Sequence, residues 1–235
     1  DLIQGARLQA LAGDNSGALD RLHEAQLLDP ASVEVREELI QVALREIDAI
    51  PATGDAYPGL EAVSSFREKG LLSALYVGAA TSDGRKRSDI LARIAWLDIL
   101  RQRAGEESVD VDQLFRLAVE ADPRNPDAHL MWADWILSGM SQADYPGGRV
   151  VAAMGHYEQA IAAGGPEERI RRAQLEALSG GGEEAQWMAA RVALDIHKRG
   201  ELNDLIPYRD LAWILQDLGS NNPDHRERVE QGLLE

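Results

Sequence analysis

The chain has 235 residues, of which 45% are hydrophobic, and this composition is typical of a folded protein rather than a disordered one. Its 40 aspartates and glutamates outnumber 24 lysines and arginines, and the formal charge of −16 disfavours binding to nucleic acid or anionic lipid. The absence of cysteine excludes disulfides, thiolate catalysis and cysteine-ligated zinc.

Apolar residues recur with a period of 3.6 along nearly all of the chain, and alternation with a period of 2 is not sustained. This pattern predicts an all-α protein. Most connections are short, which favours antiparallel packing of consecutive helices, but those at 51–59, 81–87 and 138–149 are longer. The predicted helices cover residues 2–12, 16–28, 32–49, 60–80 with a candidate break at Gly70, 88–104, 110–121, 126–138, 150–163, 166–179, 183–199, 207–218 and 223–234.

Proline and glycine predict where several of these helices begin and end. Asn125–Pro126 and Asn222–Pro223 each combine an N-cap side chain with proline at the first helical position. Left-handed C-terminal caps are predicted at Gly105, Gly139, Gly200 and Gly219.

One spacing recurs in three predicted helices: a small residue, a large residue four positions later and an alanine three positions after that. Small residues at i and i+7 let a neighbouring helix approach closely, and a proline then ends the unit. The residues that follow this spacing are Ala18, Leu22, Ala25 and Pro30, then Val111, Phe115, Ala118 and Pro123, then Ala153, Tyr157 and Ala160, with Pro166 one residue late.

This spacing, the Asp–Pro helix endings and the twelve-residue interval between Ala173 and Ala185 resemble the tetratricopeptide repeat (TPR), in its bacterial style. The resemblance implies one right-handed superhelical solenoid of about six antiparallel helix pairs over residues 1–235. It is clearest over 1–30, 110–165 and 166–199, while 31–109 is irregular and 207–235 looks like a C-terminal capping pair. An ordinary helical bundle with accidental alanine spacing is the alternative fold.

In TPR proteins the first helix of each pair lines a concave groove that binds a partner protein. By this resemblance, such a chain is a protein-interaction scaffold, and its partner combines apolar anchors with basic groups. Two of the groove residues named below have an alternative role. Asp127 can stabilise the N-terminus of its helix, and Trp213 can pack between repeats. Tyr145, in the long 138–149 connection, is a further binding candidate. The resemblance places in the groove Asp127, Leu130, Asp134, Leu137, Ile170, Gln174, Leu178, Arg209 and Trp213.

No catalytic or metal-binding pattern emerges, so we expect no enzyme activity, no metal and no cofactor. The five histidines are scattered over different predicted helices without ligand spacing, and His129 is interpreted as a packing residue. The glycines at 180–182 are interpreted as a turn, since no phosphate-binding motif surrounds them. The basic clusters at 85–87 and 169–172 are interpreted as solvated faces.

Two other functions remain open: a structural subunit of a larger or self-associated assembly, and an accessory domain that binds a small ligand under the 138–149 connection. No apolar run approaches the roughly 20 residues of a membrane-spanning helix, so no direct membrane insertion is expected. The chain begins at Asp1 and its helical pattern starts at Leu2, so we expect that a leader, an anchor or a disordered tail preceded it. Bacterial cytoplasm and periplasm both remain open.

Overall fold

A computed structural model of the chain describes residues 1–49, 70–103, 105, 109–179 and 183–199. These residues form α-helices joined by turns and contain no β-strand, so the all-α prediction is confirmed for them. In this part of the chain, no helix combines the length and apolar character that crossing a membrane requires. The helices are α1 (Leu2–Leu11), α2 (Asn15–Leu28), α3 (Val33–Asp48), α4 (Leu71–Thr81), α5 (Gly84–Arg103), α6 (Val111–Ala121), α7 (Pro126–Leu137), α8 (Arg149–Ala162), α9 (Glu167–Ser179) and α10 (Glu183–Arg199).

Polar side chains cap the starts of several helices. Asp14 Oδ1 accepts a hydrogen bond from the backbone N–H of Gly17 at 2.9 Å, and Asp110 Oδ1 accepts one from Gln113 at 3.1 Å. Each of these bonds satisfies a backbone N–H that has no partner inside the helix. The predicted left-handed glycines at 105 and 139 are confirmed, with φ of 76° and 75°.

One predicted connection is wrong. Residues 81–87 were expected to form a polar loop, but α5 begins at Gly84 and takes the basic cluster into its first turns. Arg85 pairs with Asp89 one turn later at 3.0 Å, and Lys86 pairs with Glu37 on α3. The Arg85–Asp89 pair is of the i,i+4 kind that stabilises a helix. The predicted helices at 207–218 and 223–234, the whole connection at 51–59 and residues 60–69 of the predicted 60–80 helix lie outside the described residues.

The chain divides into two compact units, Asp1–Ala128 and His129–Glu235, and the boundary falls within α7. In the first unit each helix from α1 to α6 packs against the next, and α3 also packs against both α1 and α5. In the second unit α9 packs against both α8 and α10. The prediction of one repeat domain over the whole chain stays a prediction.

The recurring spacing lies on the buried sides of its three helices. Its members on α2, α6 and α8 are all buried, and the second-unit core combines those of α8 with residues of α7 and α9. Ala118 and Ala160 have no exposed surface at all. The predicted burial of both alanines is therefore confirmed. The buried members are Ala18, Leu22, Ala25, Val111, Phe115, Ala118, Ala153, Tyr157 and Ala160.

A glycine allows close helix packing in the first unit. A Cβ atom on Gly78 of α4 would lie 2.7 Å from Ile40 Cδ1 on α3 and 3.2 Å from Ile90 Cδ1 on α5. Both isoleucines are fully buried. The missing side chain at position 78 therefore sets how closely α4 approaches the two helices beside it.

Enlarging a buried alanine of the spacing should destabilise the protein. We expect Ala118→Leu and Ala160→Leu each to lower the free energy of unfolding by about 1–3 kcal/mol, because the added carbons must displace close-packed neighbours. Urea unfolding followed by circular dichroism measures the loss. The exposed Ala80 of α4 provides the control, since leucine there has room to project into solvent. Equal effects at all three positions would contradict the packing role of the spacing.

Candidate functional site

The start of α7 is anchored in the first unit by a buried asparagine. Asn125 Oδ1 accepts hydrogen bonds from the backbone N–H groups of Asp127 at 3.1 Å and Ala128 at 3.3 Å, which confirms the predicted N-cap. Its Nδ2 donates to Ser88 Oγ and to Asp89 Oδ1 on α5, both at 2.8 Å. Asn125 and Ser88 have no exposed surface. The Asn125 side chain thus caps the N-terminus of α7 and holds it against α5.

Asp127, the first predicted groove residue, lies in the first turn of α7 and is half-buried. Its Oδ2 lies 3.9 Å from Arg93 Nη2 on α5. The Arg93 Nε also donates to Asp48 on α3 at 3.0 Å. Asp127 therefore already has a cationic neighbour, in addition to its favourable place at a helix N-terminus.

Three predicted groove residues lie on the part of α7 that belongs to the second unit. Leu130 and Leu137 are half-buried and pack against the core formed by α7, α8 and α9. Asp134 is exposed, and its Oδ1 accepts a hydrogen bond from the hydroxyl of Tyr157, which is itself fully buried. This face of α7 thus presents a carboxylate to solvent beside partly exposed leucines.

The assignment of α9 to the groove requires correction. Ile170, Gln174 and Leu178 are fully buried. Because α9 packs between α8 and α10, the face that carries these residues has no surface to offer a partner. The Gln174 side chain accepts from Arg171 at 3.0 Å and lies 2.9 Å from Met154 Sδ. The other two predicted groove residues, Arg209 and Trp213, lie outside the described residues.

The interpretation of the 169–172 cluster as a solvated basic face is wrong for Arg171. Its side chain is almost entirely buried and pairs with Glu158 on α8. A second carboxylate, Glu167, lies 3.6 Å from its Nε. Arg172, by contrast, is half-exposed and pairs with Glu168 one turn earlier. The cluster thus contains one residue that joins two helices and one that remains on the surface.

The connection between α7 and α8 is ordered by its own side chains. The Tyr145 and Ser141 hydroxyls lie 2.9 Å apart, and Ser141 is buried. Arg149 donates to the backbone carbonyls of Gly139 at 3.1 Å and Ser141 at 2.6 Å. Tyr145 is half-buried and packs against the second-unit core. This residue, predicted as a binding candidate, therefore has a packing role in the loop.

The structure brings together two histidines that sequence reasoning treated separately. His129 Nδ1 on α7 lies 3.0 Å from His156 Nδ1 on α8, and Trp132 stacks on the His156 ring with centroids 4.2 Å apart. Burial first, and the nearby His129 second, lower the pKa of His156 to about 4. A signal existed in the sequence: His129 lies nine residues before Ser138 and His156 eight after Gly148. Residues at nearly equal distances from the connection lie near each other in an antiparallel helix pair.

A second cluster of ionisable groups lies in the first unit. Asp98 on α5 is buried, and Arg101 Nη1 donates to its Oδ1 at 2.6 Å. Burial raises the pKa of Asp98, while the Arg101 guanidinium opposes that shift. Burial and the Asp98 charge also raise the pKa of Tyr76 on α4. This arrangement places the Asp98 carboxylate between Arg101 of α5 and Tyr76 of α4.

No three histidine, aspartate or glutamate side chains of the described residues converge in a group that could hold a metal ion. The second-unit face of α7, around Leu130 and Asp134, combines an exposed carboxylate with partly exposed leucines. No known protein-family model matches the chain, and no curated protein matches its sequence.

Proposed function

We propose that this chain is a TPR-like repeat protein that binds a segment of another protein, and that it is a scaffold rather than an enzyme. The observation that carries the proposal is the burial of the recurring spacing on α2, α6 and α8. Its small members lie where helices meet, as they do in the repeat that the sequence resembles. Packing of consecutive helices, and of α3 with both α1 and α5, also supports a repeat architecture.

The binding face that we propose is smaller than the groove expected from the resemblance. It consists of Leu130, Asp134 and Leu137 on α7, which retain exposed surface. Asp134 offers a carboxylate to a lysine or arginine of the partner, and the two leucines offer apolar contact. The partner segment therefore combines basic and apolar side chains.

The test is charge reversal at Asp134 with a control that removes the same internal hydrogen bond. Asp134→Lys abolishes both the surface carboxylate and the acceptor for the Tyr157 hydroxyl. Tyr157→Phe removes only that hydrogen bond and leaves the carboxylate in place. We expect Asp134→Lys to weaken partner binding by about tenfold or more, as loss of a charge pair worth about 1.4 kcal/mol requires, and Tyr157→Phe to leave binding within about twofold.

The measurement has two steps. The wild-type chain first captures proteins from the cells that produce it, and the retained protein is identified. Its dissociation constants with wild type and both variants are then measured by calorimetry, after unfolding curves show that all three are folded. Equal weakening by both variants would assign the effect to the Tyr157 contact, and unchanged binding by Asp134→Lys would refute the proposed face.

Exposed leucines on α1 and α2 favour a second candidate, a subunit that associates with copies of itself. Leu11 is 79% exposed and Leu27 is 84% exposed. Association of such surfaces removes apolar area from water. Light scattering over a hundredfold concentration range tests this candidate, which a constant monomer mass would exclude.

A further inference from the structure

Two turns of the first unit, α2–α3 and α6–α7, have the same internal hydrogen bonds. Asp29 Oδ1 accepts from the backbone N–H of Ala31 at 3.1 Å, and Asp122 Oδ1 accepts from that of Arg124 at 3.0 Å. In each turn the aspartate carbonyl accepts a second bond from the residue three positions later, at 3.2 and 3.1 Å, and that residue caps the helix that follows. Asp29 therefore corresponds to Asp122, and Ala31 corresponds to Arg124.

The α6–α7 turn binds a basic side chain. Arg85 on α5 donates from Nη1 to the backbone carbonyl of Arg124 at 3.3 Å. The same Nη1 lies 3.9 Å from Asp122 Oδ2, the carboxylate oxygen that the turn's own hydrogen bond leaves over. A guanidinium has several N–H donors and a positive charge, so it can contact a carboxylate and a carbonyl together. A turn of this geometry therefore accepts an arginine.

The α2–α3 turn offers the same two groups on its surface. Asp29 and Ala31 are exposed, and within the described ranges of the chain no basic side chain binds the Asp29 carboxylate or the Ala31 carbonyl. Residues 24–34 contain three carboxylates and no lysine or arginine, and one of these carboxylates, Glu34, pairs with Arg7 on α1. The charge around this turn therefore suits a basic group from outside the chain.

Three large apolar side chains beside this turn are mostly exposed: Leu27 at 84%, Leu28 at 76% and Val33 at 60%. The corresponding positions of the α6–α7 turn hold Glu120, Ala121 and Pro126. The turn can therefore form without large apolar residues at these positions, and the two leucines and the valine are not needed for its geometry. A cluster of exposed apolar side chains is typical of an interaction surface.

We propose that the α2–α3 turn is a docking surface for a segment of a partner protein that carries an arginine between apolar residues. The guanidinium contacts Asp29 and Ala31, as Arg85 contacts the equivalent turn, and the apolar residues cover the three exposed apolar side chains. A second copy of this chain is the competing occupant, but symmetric pairing of this surface would bring its carboxylates together. The surface lies in the first unit and does not depend on the face proposed on α7.

Two dye-labelled peptides test the charged part of the surface. Each has leucines on both sides of a central residue, which is arginine in one peptide and its neutral isostere citrulline in the other. Fluorescence anisotropy measures their dissociation constants with the whole chain. Asp29→Asn keeps the Oδ1 acceptor of the turn and removes the charge. We expect this variant to weaken binding of the arginine peptide by about tenfold and of the citrulline peptide by less than about twofold.

A pair of leucine variants tests the apolar part. Leu27→Ser should weaken binding of both peptides by about tenfold, because it removes apolar area that the peptide leucines cover. Leu8→Ser is the matched control, since Leu8 is 67% exposed on α1 and lies outside the proposed surface. It should leave both dissociation constants within about twofold of wild type. Unfolding curves show that all variants are folded before binding is measured.

Four results would overturn the proposal. The first is equal weakening of both peptides by Asp29→Asn, and the second is an equal effect of Leu27→Ser and Leu8→Ser. The third is the absence of saturable binding of the arginine peptide to the wild-type chain. The fourth is self-association of the wild type in light scattering that Leu27→Ser abolishes, because the surface would then bind a second copy.

Discussion

Replacing Asn125 with alanine should lower the free energy of unfolding by roughly 2–4 kcal/mol. The loss combines an N-cap, worth about 0.5–2 kcal/mol, with buried groups on α5 that lose their partner, at about 1–3 kcal/mol. Asn125→Asp should keep the cap acceptor but turn a second oxygen toward Asp89, which the native amide contacts as a donor at 2.8 Å. We therefore expect this near-isosteric change to destabilise the chain as well.

The control is an N-cap residue whose side chain is not buried against another helix. Asp110 caps α6 through its bond to Gln113, in an exposed setting. Asp110→Ala should cost only about 1 kcal/mol. Urea unfolding of the three variants at pH 7 separates capping from anchoring. If Asn125→Ala costs no more than Asp110→Ala, the contacts with Ser88 and Asp89 contribute nothing to stability.

Replacing Arg101 with methionine should cost about 3 kcal/mol at pH 7, because it leaves the buried Asp98 carboxylate without its cation. The loss should shrink as the pH falls. The pKa of Asp98 is already raised by burial, and losing Arg101 raises it further, so the folded variant takes up a proton that the unfolded chain still lacks. Stability of the variant relative to wild type should therefore improve from pH 7 to pH 5.

Two further variants test this explanation by unfolding at both pH values. Asp98→Asn combined with Arg101→Met removes the buried charge and should recover most of the loss. Arg172→Met breaks a half-exposed pair with Glu168 and should change stability by less than about 1 kcal/mol. A pH-independent loss in Arg101→Met would show that the arginine acts by packing alone.

Sequence reasoning predicted well the features that depend on neighbours in the chain. The start of α7 followed from Asn125–Pro126, because a cap and a proline act on the backbone beside them. The buried positions of α8 followed from the spacing of Ala153, Tyr157 and Ala160, because helical period alone places them on one side.

Features that depend on which helices surround a residue were predicted poorly. Ile170, Gln174 and Leu178 share a face of α9, as the period requires, but only the position of α9 between α8 and α10 decides that this face is buried. The contact between His129 and His156 likewise needs the register of two helices across an ordered connection. The sequence contains that register only as nearly equal distances from the connection, nine and eight residues, and these distances form no ligand motif.

The packing of each helix beside its chain neighbours has a consequence for how the protein is made. The helix pairs that pack in the described chain are consecutive or one helix apart. These contacts join segments that are near each other in sequence, so each contact closes only a short loop. Chains with this topology fold quickly. A ribosome adds about 5–20 residues per second, far more slowly than a helix pair forms. Each of these helices can therefore find its partner while the rest of the chain is still being synthesised.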